Sequence, residues 1–377
     1  MKVLTILGTR PEIIRLSRVI PRLDEVLGRE NHILVNTGQN YDDLLSTVFF
    51  KELGIRDRNY YLNASGSFAQ QMATIFSALE HILDQEKPDH VLVLGDTNSS
   101  LAAIVAARLR IPVYHMEAGN RCYDDRTPEE VNRRLIDHVS SVLLPYTERA
   151  RQNLLAEGIH SSRIFVTGNP IHEVIEHYGR QIDLAAALAR ERLGIKSQGY
   201  FLVTLHREEN VGDRERLKSF LAAFAALNND YSFPVIVSTH PRTRKRLEDL
   251  RHIRNLCGDT RFLDPFGFFD FIALQRSAFC VLSDSGTVQE ESCLLGVPSV
   301  TLRDTTERPE TVEAGASVLS SADPVRIVAL VNQVTSVPDG RTKKWTPSWT
   351  VPAEYLRLNV AETVVRILTS HCQEATR

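Results

Sequence analysis

Asp284-Ser285-Gly286 closes the apolar run Ala278-Phe279-Cys280-Val281-Leu282 and opens a helical pattern that ends at Gly296. A buried strand that breaks into a helix start directs several backbone N–H groups at one point, the arrangement by which helix N-termini hold phosphate. Ser285 and Gly286 are therefore candidate contacts to a phosphorylated ligand. Glu291, about one helical turn further on, is placed to hydrogen-bond sugar hydroxyls beside that phosphate. His206-Arg207-Glu208-Glu209 follows the apolar run Tyr200–Leu205. A lone histidine is often an ordinary one, but here it adjoins an arginine at a strand end. Arg207 would supply a fork for a diphosphate and His206 a tunable donor. His240-Pro241-Arg242 offers a second such pair.

Three carboxylates end or follow other apolar runs. Asp96 comes directly after Val91-Leu92-Val93-Leu94-Gly95, where an aspartate is as often a helix N-cap as a working group. Glu117 follows Val113-Tyr114-His115-Met116 and precedes the small Ala118-Gly119. Partial desolvation there would raise its pKa toward a value useful for proton transfer; the alternative is a salt bridge to Arg121. Thr127-Pro128-Glu129-Glu130 matches a capping box with proline at the first helical position, which on its own makes Glu130 structural. Arg133 and Arg134 lie within ion-pairing reach of it along a helix. Thr9-x-x-Glu12 also fits a capping box. Arg10 does not fit so easily, because a cation in the first turn opposes the helix dipole by up to ~1 kcal/mol. A nearby anion, either a ligand phosphate or a carboxylate of the protein, would reverse that sign. Phe266, Phe268, Phe269 and Phe271 form an aromatic cluster; most of it should be core, with one member, Phe266, available to stack on a base.

These residues need a scaffold that brings loops together. Short apolar runs alternate with amphipathic stretches, the rhythm of parallel sheets covered on both faces. The expected strands are Lys2–Leu7, His32–Asn36, His90–Leu94, Pro112–Met116, Val142–Pro145 and Ile164–Thr167. A second series comprises Tyr200–Leu205, Phe233–Ser238, Thr260–Leu263, Cys280–Ser283 and Ser299–Leu302. The chain of 377 residues exceeds the ~250–300 at which one core usually divides. The expectation is an α/β protein of two Rossmann-like doubly wound parallel sheets: residues 1–170 with the carboxylates, residues 190–360 with the phosphate site, and a C-terminal helix at 361–377 returning to the first domain. Ligands of such sheets collect beyond the carboxyl ends of the strands, where the unusual residues fall.

Lys and Arg number 44 and Asp and Glu 47, for a net charge of −3, and no basic stripe is interleaved with aromatics, which argues against nucleic acid. The cationic stretch from Arg242 to Arg254 reads as the solvated face of an amphipathic helix. Five scattered cysteines form neither a disulfide framework nor a zinc motif. No run reaches the ~18 apolar residues of a membrane span, so the expected location is the cytoplasm, without membrane association. Gly340 to Ser348 reads as an exposed loop.

Seven segments occur in a familiar order: Gly8-Thr9-Arg10-Pro11-Glu12, Gly95-Asp96-Thr97-Asn98-Ser99, His115-Met116-Glu117-Ala118-Gly119, Pro128-Glu129-Glu130-Val131-Asn132-Arg133, His206-Arg207-Glu208-Glu209-Asn210, Asp284 through Glu291, and Glu307-Arg308-Pro309-Glu310. Together they resemble the non-hydrolysing UDP-N-acetylglucosamine 2-epimerase family over nearly the whole chain. The resemblance implies a glycosyltransferase-B arrangement with an interdomain cleft, a homodimer, a UDP-N-acetylhexosamine substrate, and neither cofactor nor metal. It makes Asp96, Glu117, Glu130 and His206 the catalytic set. Arg10 and Ser285 would hold the diphosphate and Glu291 the ribose, with Arg15 and Arg308 in the substrate-binding set. Arg15 stands where the glucosamine enzymes typically carry lysine, Asn40 replaces a usual histidine, and Asn120-Arg121-Cys122 departs from the commoner leucine-arginine. These departures resemble the branch that forms UDP-N-acetyl-L-fucosamine for surface polysaccharides. UDP-N-acetylglucosamine epimerisation, a UDP-sugar transferase and a silent sugar-nucleotide sensor are the rival readings.

Overall fold

A computed structural model describes residues 1–39, 43–250, 257–336 and 349–370. Asn40, the end of the cationic stretch, the Gly340–Ser348 loop and Cys372 lie outside them.

Among the described residues twelve strands form two six-stranded sheets. The first contains β1 (Val3–Leu7), β2 (His32–Asn36), β3 (Tyr60–Tyr61), β4 (His90–Leu94), β5 (Val113–Met116) and β6 (Val142–Leu144), in the order β3-β2-β1-β4-β5-β6. The second contains β7 (Phe201–Leu205), β8 (Val235–Thr239), β9 (Thr260–Leu263), β10 (Cys280–Ser283), β11 (Ser299–Thr301) and β12 (Ser317–Leu319), in the order β12-β11-β10-β7-β8-β9. All pairings are parallel. Each order is the doubly wound one, with its switch point between the first and fourth strands of the sheet. That is the two-sheet α/β fold expected from the alternation of runs.

Covering both faces explains why the strands read as unbroken apolar runs. Successive side chains of β7 enter different cores: Phe201, Val203 and Leu205 pack with Phe220, Phe224 and Phe279, whereas Leu202 packs with Ile236, Val281 and Leu274. In the first sheet Leu4, Ile6, Val35, Val91 and Val93 pack against Ile75 and Leu79 of the helix Phe68–Glu86.

Three strand expectations are corrected. Ile164–Thr167 contributes only a single parallel bridge, Ile164 to Leu143. β8 starts at Val235, after a proline that has no N–H for a central ladder. The outer strands β3 and β12, of two and three residues, add to the expected set.

The chain divides into two compact units, the first formed by Met1–Glu176 with the segment from Ala353 onward, the second by His177–Pro352. Within the first unit the helix Val360–Ser370 buries Val360, Val364, Val365 and Leu368. It packs on the helix Val19–Leu27, with Arg22 Nε 2.6 Å from Glu362 and the Ala361 amide donating to Glu173 at 2.9 Å. Among the described residues no helix is long and apolar enough to cross a membrane.

Candidate active site

In the first unit the loop after β1 is held from below by one buried carboxylate. Glu12, 1% exposed, accepts from the Gly8 and Thr9 amides at 2.8 and 2.7 Å, from Thr9 Oγ1 at 2.9 Å and from Thr97 Oγ1 at 2.7 Å. The first three bonds belong to the capping arrangement; the fourth ties this loop to the one after β4. Burial pushes the Glu12 carboxyl up to about 7 despite those donors. The folded chain therefore keeps a proton that the unfolded chain releases near 4.5, so stability from this group falls as pH rises from about 4.5 to about 7. A gap of that size corresponds to about 3 kcal/mol at most. Urea unfolding at pH 5 and pH 8 is expected to show wild type losing up to that much more stability across the interval than Glu12→Gln; equal losses would refute the assignment.

Arg10 is the first residue of the helix Arg10–Leu16, with its guanidinium 5.5 Å from the Phe49 ring centroid. Arg15, 2% exposed, forms a buried ion pair with Glu117 and lies 5.7 Å from the Tyr146 ring centroid. The bridge to Arg121 considered as the alternative for Glu117 is not made. Arg121 instead pairs with Asp137 at 2.8 Å and Glu157 at 2.6 Å. Glu117 has φ +66°, a left-handed conformation that costs a non-glycine residue about 1–2 kcal/mol. A Cβ at Gly95 would lie 3.8 Å from Glu117 Oε2, so the carboxylate overhangs the turn that presents Asp96. Gly119, φ +80°, admits no side chain: its Cβ would meet the Ala150 carbonyl oxygen at 2.3 Å. Asn120 Nδ2 donates to Glu117 Oε1 at 3.3 Å. Beneath, His115 bridges the Gly95 carbonyl (2.9 Å) and Asp137 (2.8 Å), and Asp137 accepts from the Gly119 amide at 3.1 Å. One buried network thus sets both acidic turns.

Asp96 is not an N-cap, since Thr97 precedes the helical turn Asn98–Ala102. Its carboxylate meets Arg133 Nε at 2.7 Å, and Arg133 Nη1 meets Glu130 Oε2 at 2.5 Å. Glu130 does not complete the capping box. The Thr127 amide donates to Asp124, and the Glu130 side chain reaches past the cap to the Cys122 and Tyr123 amides of the preceding loop, both at 3.0 Å. Burial alone would raise its pKa, but these amides and Arg133 hold it below the usual value. From sequence, Arg133 is only a helical neighbour of Glu130. Its second partner lies 37 residues upstream, beyond any local pattern.

In the second unit Ser285 is the N-cap of the helix Gly286–Leu295, and its hydroxyl makes no capping bond. A Cβ on Gly286 would lie 2.6 Å from Glu307 Oε1, so a side chain there would have to displace the Glu307 carboxylate. Glu291 is 3% exposed. Around this helix start Arg308 Nε pairs with Glu290 at 2.5 Å, Arg303 with Glu307 at 2.7 Å, and Arg207 Nη2 lies 3.5 Å from Glu307. Asp284, fully buried, faces His206 Nδ1 at 3.1 Å. In the sequence Asp284 does no more than end a strand, and no local signal points to this contact.

His240 caps the helix Pro241–Glu248 by accepting the Arg242 amide at 3.2 Å, and its ring centroid is 6.3 Å from that of His206. Arg242 is exposed and lies 3.6 Å from Glu208. Phe266, 8% exposed, packs with Tyr200, Leu202 and Phe271. Among the described residues no group of three or more His, Cys, Asp or Glu is placed to hold a metal.

A family model of UDP-N-acetylglucosamine 2-epimerases matches residues 26–369. The chain is 42% identical over 339 residues to a UDP-N-acetylglucosamine 2-epimerase of Methanocaldococcus jannaschii, covering 88% of this chain and 91% of that one. It is 38% identical over 327 residues to a UDP-2,3-diacetamido-2,3-dideoxy-D-glucuronate 2-epimerase of Pseudomonas aeruginosa, covering 85% and 89%. Among solved structures it is similar to the M. jannaschii enzyme in complex with UDP-N-acetylglucosamine and UDP, with TM-score 0.87, 38% identity and coverage of 98% and 99%. The Neisseria meningitidis enzyme bound to UDP-N-acetylglucosamine gives 0.88, 31%, and coverage of 98% and 100%.

Proposed function

The chain belongs to the non-hydrolysing UDP-N-acetylglucosamine 2-epimerase family, an isomerase family, and from that premise we propose that it interconverts UDP-N-acetylglucosamine and its C2 epimer by eliminating UDP and adding it back. The C2 proton of an N-acetylhexosamine is too weakly acidic for simple removal. Elimination across C1–C2 solves this by coupling proton loss to departure of UDP, giving a glycal. Return of UDP, with the proton delivered to the opposite face, inverts C2. The route requires carboxylates to move the proton and donors to stabilise the departing diphosphate.

The observation that carries the proposal is the gathering of three carboxylates in the first unit: Glu117 over Gly95, and Asp96 joined through Arg133 to Glu130 of the helix Pro128–Val139. Asp96, Glu117 and Glu130 serve the proton transfers, with Arg10 binding phosphate. In the second unit Ser285, Gly286 and the following amides hold the diphosphate, His206 donates to it, and Glu291 binds the ribose. Arg15 serves through Glu117, which it neutralises. Arg207 and Arg308 set the positive field around the helix start, with His240 and Arg242 at its rim. The working form is a homodimer.

The names of the relatives favour UDP-N-acetylglucosamine. A second reading, the 6-deoxy-L-talo/fuco pair, is favoured by Arg15 and Asn120, two substituted positions that both contact Glu117. Incubation in deuterated water with each UDP-sugar, followed by mass spectrometry, distinguishes them. Deuterium should enter C2 of the true substrate without any acceptor. No incorporation with any UDP-N-acetylhexosamine, or UDP release only on adding an acceptor, would overturn the proposal.

A further inference from the structure

Asp284 has a geometry that ending a strand does not require. Its carboxylate accepts from the His206 amide at 3.1 Å, the Arg207 amide at 3.0 Å and Asn210 Nδ2 at 3.1 Å. The fourth contact is His206 Nδ1 at 3.1 Å. One buried group therefore grips both the main chain and the ring of the same histidine, fixing where the ring starts and which edge it turns inward. A carboxylate can only accept, so its charge 3.1 Å from Nδ1 favours the hydrogen on the ring nitrogen that faces it.

We propose that Asp284 is a positioning residue that holds His206 in the Nδ1–H tautomer, turning Nε2 outward as the atom that meets the diphosphate. The inference rests on the reading of His206 as the diphosphate donor and says how the protein prepares it. The ring side chain is 42% exposed while Asp284 is not exposed at all, so the outward edge is the one left for a ligand. When Nε2 takes up a proton from solvent, the imidazolium donates a hydrogen bond to the diphosphate and Asp284 balances its charge; no covalent bond to the sugar is made or broken by the ring. Burial works against ionising Asp284, but His206 and the amide donors hold it well below the usual carboxylate range. The same logic operates wherever a buried aspartate orients a working histidine: the neutral amide leaves the ring in place but permits the wrong tautomer.

Two measurements test this. Long-range 15N–1H NMR of the full-length protein, with the His206 signals assigned by comparison with His206→Ala, reads the tautomer directly. Wild type is expected to be Nδ1–H, and Asp284→Asn to shift the population toward Nε2–H. A neutral wild-type ring whose single hydrogen sits on Nε2, or a neutral-ring tautomer unaltered in Asp284→Asn, overturns the proposal. The wild-type spectrum alone decides between the two tautomers, even if Asp284→Asn fails to fold. Kinetically, Asp284→Asn should lower kcat by about 10²–10⁴-fold with KM changed far less, and should cost nothing further in a His206→Ala background. An additive loss there would assign Asp284 a merely structural role and refute the inference. If His206→Ala alone left kcat intact, the reading of His206 would fall, while the NMR result would still decide what Asp284 does to the ring.

Discussion

Glu117→Gln is expected to reduce C2 deuterium incorporation and kcat by about 10²–10⁴-fold, the range of a lost acid–base group, while the protein stays folded. Arg15 and Asn120 address the two oxygens of Glu117 separately; glutamine keeps the shape and one acceptor oxygen for Arg15, Asn120 turning its own amide to accept from the new NH2, but it has no carboxyl proton to exchange. The change does leave Arg15 buried without a counter-charge, and truncating one partner of a buried pair can cost 3–5 kcal/mol. UDP affinity by calorimetry and thermal unfolding must therefore accompany the kinetics. Near-wild-type UDP binding with collapsed exchange assigns Glu117 to proton transfer. A variant that retains more than about a tenth of the activity, outside that range, would remove Glu117 from the catalytic set.

The second large effect is expected at Arg133. Its guanidinium, 3% exposed, meets Asp96 at 2.7 Å and Glu130 at 2.5 Å. Arg133→Met fills the space but leaves buried Glu130 with amide donors and no counter-charge and frees Asp96 to swing, with a stability loss of about 3–5 kcal/mol and kcat down at least 10²-fold. Arg133→Lys should recover part of the stability and little of the rate, because an ammonium cannot reproduce the fixed fork that addresses two carboxylates at once. Urea unfolding and the deuterium assay read the two consequences separately. If Arg133→Lys restored full activity, charge alone would suffice and the fork would be irrelevant.

The central strands are legible in the sequence because both faces of each sheet are covered, which makes a strand such as Phe201–Leu205 uninterruptedly apolar. Tyr60–Tyr61 and Ser317–Leu319 are not, since two or three residues at a sheet margin carry too little pattern. The acidic turns are legible as types and positions. Their partners are not, because Arg15 pairs with Glu117 across 102 residues and Arg133 with Asp96 across 37, and only the closed sheet brings such positions together. Glu130 misleads as a local pattern: its spacing satisfies a capping box, yet two amides of a neighbouring loop compete for the same oxygens.

Because the helix Val360–Ser370 closes the unit that begins at Met1, ribosomal synthesis delivers the last piece of the first unit only after the whole second unit has emerged. Until then the helix Val19–Leu27 of the nascent chain lacks the helix that packs on it. The order of events in biogenesis is thereby set by chain threading: the acidic turns can assemble early, but the unit bearing them is sealed last.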